Sequence, residues 1–150
     1  MKSKTLFGLM ALAFLSNSCS KSETVLPEDT LNGTWSGILN QPVFGELITN
    51  FSLRNVTDNS GNGQGTFKSG DLSICDDTQF NCGPLSCTFD LSFTTSVNSK
   101  FEFDQVLSQT NTTCGDGIFE LTVIDNNTLS ATWYEESFPD NVAIGQLKKQ

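Results

Sequence analysis

Apolar and polar residues alternate along this chain with a period of two over most of its length, and no helix-period stretch interrupts the pattern after an apolar opening segment. The clearest case is CTFDLSFTTSV. Cys87, Phe89, Leu91, Phe93, Thr95 and Val97 fall on one face, and Thr88, Asp90, Ser92, Thr94 and Ser96 on the other. Successive side chains of a strand point to opposite faces, so this spacing predicts a strand with one buried and one wet side. ELITNFSLRN follows the same rule with Leu47, Thr49, Phe51 and Leu53 inward. In KFEFDQVL, Phe101 and Phe103 are in phase and Val106 falls out of it, which predicts a bulge. Phe119, Leu121 and Val123 form the inward set of IFELTVI, and Leu129, Ala131 and Trp133 that of TLSATWYE. GTWSGIL supplies a first strand and VAIGQLKK a last one, with weaker strands at Gly63–Lys68 and Asp71–Cys75.

Turn-forming residues separate these runs: DNSGNG after Thr57, Asn98–Ser99, and Asp125–Asn127. Such short connections make sequential strands pair antiparallel. The expected fold is therefore all-β, an up-and-down antiparallel meander of eight to nine strands. A closed β-barrel is favoured over a two-sheet sandwich because closure removes the exposed edges that invite aggregation. Phenylalanine, with twelve in the chain, supplies much of the expected core.

The first strand carries a second signal. LNGTWSG, Leu31 to Gly37, resembles the opening G-x-W of lipocalin-like (calycin) barrels through Gly33 and Trp35. A G-T-W opening also occurs in avidin-like barrels. The calycin resemblance implies that Trp35 closes one end of the barrel and that a basic residue of the last strand packs across it. Lys148 or Lys149 stands where that family usually has arginine, and no T-D-Y motif follows the middle strands.

Residues 1–18 read as a signal peptide. Lys2 and Lys4 precede an apolar run, Leu6–Leu15, which is too short for the roughly 20 residues that cross a bilayer. Ser16, Asn17 and Ser18 lead to Cys19. This stretch resembles a bacterial lipobox, with leucine four places before the cysteine rather than three, and it implies a lipidated Cys19. Acyl chains such as palmitate would then anchor the mature protein, each buried methylene contributing about 0.8 kcal/mol. Residues 19–30, polar and containing Pro27, read as a flexible tether, and 31–150 as a single barrel domain. Ser20 beside the anchor, where aspartate would signal inner-membrane retention, favours the outer membrane of a Gram-negative cell envelope.

The charge excludes some partners. Removing a leader with Lys2 and Lys4 leaves six of the eight basic residues against 17 acidic ones, a formal charge of −11. Nucleic-acid affinity comes from neutralising phosphates, and Arg54 is the only arginine, so nucleic acid is excluded as a partner. Such acidity serves solubility.

Four further cysteines, Cys75, Cys82, Cys87 and Cys114, have the spacing C-x6-C-x4-C-x26-C, which suits disulfides in an exported protein better than a zinc site. Pairing Cys75 with Cys82 and Cys87 with Cys114 is one solution; joining Cys75 to Cys87 is another.

Candidate chemistry is sparse. The chain has no histidine, which removes the commonest general base and the Ser-His-Asp arrangement. The acid pairs Asp76/Asp77 and Glu135/Glu136 read as solvated turn residues, since neighbours on a strand face opposite ways. Asp58, Ser60 and Asn62 resemble the start of a calcium loop, but Ser69 stands where the closing glutamate belongs, and a glycine-rich turn is the expected form. N-x-S/T triplets begin at Asn32, Asn50, Asn55, Asn111 and Asn126, incidental in a bacterial lipoprotein. No metal, cofactor or catalytic residue is assigned.

These features point to a non-catalytic envelope lipoprotein whose barrel takes a small apolar or amphipathic ligand. Trp35, Phe51, Phe89, Phe93, Phe103 and Trp133 are the candidate pocket residues, and the same alternation also fits a packed interior. The alternative is an interaction protein that presents disulfide-stapled loops, such as Asp76–Leu85, to a protein or polysaccharide.

Overall fold

The computed structural model describes residues 27–42, 45–69, 86–108 and 115–150. A short helix α1 (Pro27–Leu31) precedes eight strands: β1 (Gly33–Gln41), β2 (Gly45–Thr57), β3 (Ser60–Ser69), β4 (Ser86–Val97), β5 (Lys100–Leu107), β6 (Gly117–Asp125), β7 (Thr128–Glu135) and β8 (Phe138–Lys149). Each strand pairs antiparallel with the next, and β8 returns to pair with β1, so the sheet closes into an up-and-down barrel. The expected Asp71–Cys75 strand, Cys19, Cys75, Cys82, Cys114 and the Asp76–Leu85 loop lie outside the described residues.

Most inward positions fall where the alternation places them. Leu47, Thr49, Phe51 and Leu53 of β2 are buried, as are Phe119 and Leu121 of β6 and Leu129, Ala131 and Trp133 of β7. The register shifts in four of the ladders, and the shifts in β2 and β4 turn inward faces outward or outward faces inward. In β2 the register shifts between Arg54 and Thr57; Asn55 adopts φ 54°, and Val56 turns inward. Asn32 secures that kink, with its Oδ1 accepting from Val56 N–H at 2.9 Å.

In β4 the shift lies between Phe93 and Thr95 and overturns part of the expected face. Thr95 is exposed and Val97 is 61% exposed, because the bulge carries the second half of β4 half a period round. The expected bulge in β5 is likewise absent: register with β4 and β6 is continuous from Phe103 to Gln105. Val106 is an outward residue, 51% exposed, and the inward residue after Phe103 is Gln105.

The glycine-rich stretch after Thr57 also differs from expectation. Only Asp58 and Asn59 form the turn, and Ser60 onward is strand. A Cβ on Gly65 would lie 2.6 Å from both the Asn50 carbonyl oxygen and the Phe89 ring, so the missing side chain is the space that Phe89 occupies. The Asn98–Ser99 turn has φ 53° and 63°, the paired positive values of a tight hairpin whose twist matches its strands.

The middle of the barrel is filled with rings. Phe67 lies 4.6 Å from Phe89, 5.5 Å from Phe119 and 5.1 Å from Trp133, centroid to centroid; Phe119 also meets Phe51 at 5.5 Å and Phe89 at 5.7 Å. Phe93 and Phe103 form a separate edge-to-face pair at 5.8 Å. Such pairs add about 0.5–1.5 kcal/mol each beyond the area they bury.

The barrel has two unlike ends. The turns at 58–59, 98–99 and 126–127 gather at one end together with α1. The connections spanning 42–44, 70–85, 108–116 and 136–137 leave from the other.

Candidate functional site

The turn-bearing end is plugged. Proline at the first position of α1 suits a helix start, since its missing N–H would be unpaired there in any case. Thr30 and Leu31 are buried, so the end of α1 packs with the barrel. Trp35, fully buried on β1, donates its indole N–H to the Leu31 carbonyl at 2.8 Å. Across that ring lies Lys149, its Nζ 5.3 Å from the ring centroid, donating to the Thr30 carbonyl at 2.9 Å. Of the two lysines considered for this position, Lys149 fills it; Lys148 instead donates to Thr128 Oγ1 at 2.6 Å. The polar groups named at this end are all hydrogen-bonded.

The loop-bearing end is different. Gln105, the last inward residue but one of β5, is 1% exposed. Its Oε1 accepts the indole N–H of Trp133 at 3.0 Å. An indole nitrogen only donates, so the amide atom facing it is the oxygen and the other is Nε2. That Nε2 is buried with no partner among the described residues. The bond from β7 to β5 passes over β6 at Gly117, which pairs with both Gln105 and Glu135. A Cβ on Gly117 would lie 2.7 Å from Trp133 Nε1, so only glycine leaves room for the indole to reach Gln105.

Two more amides at this end are incompletely satisfied. Gln41, at the end of β1 and 4% exposed, donates through Nε2 to the Asn141 carbonyl at 3.4 Å, while its Oε1 has no partner among the described residues. The Asn141 side-chain Oδ1, near the start of β8, is also buried and unpartnered among them. Orphaned buried polar atoms each cost about 1–3 kcal/mol, so three at one end of a small barrel call for a reason.

The candidate pocket residues divide along the barrel. Trp35 belongs to the plug, and Phe51, Phe89 and Phe103 are buried in the packed middle. Phe93 is half-buried below the β4 bulge, and Trp133 alone joins the orphaned amides. The candidate pocket residues read from the sequence do not include Gln105, Gln41 or Asn141, nor Phe67, and Phe119 is expected only as an inward residue of its strand. The signal was present for Gln105: with KFEFDQVL kept in phase, an amide falls on the inward face.

Cys87 is buried at the start of β4, at this same end. Glu135 is half-buried at the end of β7 with its carboxylate over Gly115, and Glu136 is exposed in the following turn. Among the described residues no group of three His, Cys, Asp or Glu is placed to hold a metal ion. A shallow hollow of about 470 Å³ on the outer wall is lined by Ser52, Arg54, Asn62, Gln64, Asp90 and Ser92, and it is open to solvent.

No protein-family model matches the chain, and a search of curated proteins finds no match either.

Proposed function

We propose that this chain is a non-catalytic lipoprotein of the Gram-negative cell envelope, held to the outer membrane through Cys19, whose barrel receives a small apolar or amphipathic ligand at the loop-bearing end. The observation that carries this reading is the contrast between the two ends. One is plugged by α1, Trp35 and Lys149 with its hydrogen bonds made. The other holds three buried amide atoms without partners beside an aromatic floor of Trp133 and Phe67. Pockets that bind small molecules combine apolar walls with a few convergent polar groups. The absence of histidine supports a binding role over a catalytic one. Packing of Lys149 across Trp35 supports the calycin resemblance.

Titration of the mature domain with a panel of short amphiphiles, followed by tryptophan fluorescence and native mass spectrometry, tests the binding. Retention of at least one class is the expected result, and a panel without binding refutes the reading. The intact mass of the exported protein tests the anchor: an acylated Cys19 is expected, and a free thiol refutes it.

A second reading has one observation in its favour. Cys87 is buried at the base of the loop-bearing end, where a disulfide would suit a rigid platform presenting loops to a protein or polysaccharide. Removing residues 76–85 then abolishes capture of the partner, whereas a small ligand confined to the barrel mouth leaves capture unaffected.

A further inference from the structure

We propose that the Gln105–Trp133 pair reads the polar group of an uncharged ligand, with Gln105 Nε2–H donating to the ligand's carbonyl oxygen. This rests on the reading that the loop-bearing end is the ligand's entrance, and it names the chemistry recognised there.

Three observations carry it. First, the Trp133 indole fixes which way the Gln105 amide faces, so the unpartnered atom is a donor and its missing partner is an acceptor. Second, the site carries no counter-charge. The described inward residues of this end include Gln41, Leu47, Phe67, Cys87, Phe89 and Trp133 and no lysine or arginine, while Glu135 closes the neighbouring strand. An anionic head buried there would lose its hydration with no cation in return, and the domain's acidic surface repels it on approach. Third, depth is limited. Below Gln105 the barrel is filled by Phe103 and Phe119, both fully buried, so the carbonyl enters first and the apolar part stays outside it. The ligand class is a short neutral carbonyl compound: an amide, ester or ketone. The free Oε1 of Gln41 and Oδ1 of Asn141 are acceptors at the same end and suit an N–H donor, which favours the amide within that class.

The probes are hexanamide, hexanoate and hexylamine, titrated into the mature protein and its variants by calorimetry, with the Gln105 side-chain amide followed by NMR. Wild-type protein is expected to bind hexanamide at least tenfold more tightly than either charged probe and to shift the Gln105 Nε2–H2 signals. Gln105→Leu removes that preference. Gln105→Glu keeps an acceptor for Trp133 but replaces the donor, and it moves the preference to hexylamine; this second variant decides the matter if Gln105→Leu does not fold. Equal binding of all three probes by the wild type, unchanged in both variants, overturns the head-group assignment while leaving a ligand at this end. So does binding of hexanamide with the Gln105 signals unmoved, as a bound water satisfying Nε2 would give. No binding of these probes or of any member of the wider panel overturns the entrance reading itself.

Discussion

Lys149 Nζ lies 5.3 Å from the centre of the Trp35 ring and donates to the Thr30 carbonyl, so one ammonium group joins the last strand, the first strand and the helix before it. Lys149→Met removes both the cation–π contact and the hydrogen bond, with an expected loss of about 1–2 kcal/mol in urea unfolding. Lys149→Arg retains most of that stability, because guanidinium also stacks on indole and donates.

Phe119 touches Phe51, Phe67 and Phe89 and is fully buried. Phe119→Ala leaves a void in the middle of the packed rings, and about 3–5 kcal/mol of stability is expected to go with it. Phe119→Leu costs less, and the difference in denaturation midpoints measures how far the surrounding rings collapse.

Gly65 is the place that the Phe89 ring fills. Gly65→Ala brings a methyl group against that ring and the backbone oxygen of Asn50, an overpacking of about 1–3 kcal/mol. Shortening the ring in Gly65→Ala/Phe89→Leu restores part of it, a coupling that a double-mutant cycle detects.

Asp125 accepts the backbone N–H of Asn127 at 2.8 Å, and this bond, helped by the Thr128 hydroxyl, holds its carboxyl below the usual carboxylate range. A lowered folded value means that the stabilisation is complete above the unfolded value and is lost as pH falls through the folded one. Asp125→Ala is therefore expected to be less stable than wild type near neutral pH, with the two unfolding curves converging in acid. A difference that persists unchanged at low pH refutes the assignment.

Much of the barrel is legible in the alternation because inward and outward residues must differ wherever a sheet has one wet face. Where the pattern misleads, a local event has changed the phase. Val97 follows a bulge whose cause lies in pairing with β5, since Thr95 meets Glu102 instead of continuing the register from Phe93, and a single strand does not reveal its partner's register. Gln105 shows the opposite failure: the phase is kept, but a polar side chain stands in an apolar series, and reading it as a bulge hides the residue that matters most at the loop-bearing end. Its burial is tolerated because Trp133 answers half of the amide, a contact over Gly117 that depends on the β5–β6–β7 order. The helix α1 goes unread for a related reason. PEDTL is too short and polar to show a helical period, and its place is set by Trp35 and Lys149 reaching its carbonyls.

The seam between β1 and β8 sets the order in which the molecule can assemble. Trp35 is paired with Lys149 and Ser36 with Lys148, so the first strand keeps an unmatched edge until β8 has been made. Ring closure thus follows the making of all eight strands and joins segments far apart in sequence, and slow folding is expected of such non-local pairing. A chain released before β8 can build hairpins but not the barrel, which makes Phe138–Lys149 the segment that commits the domain to its shape.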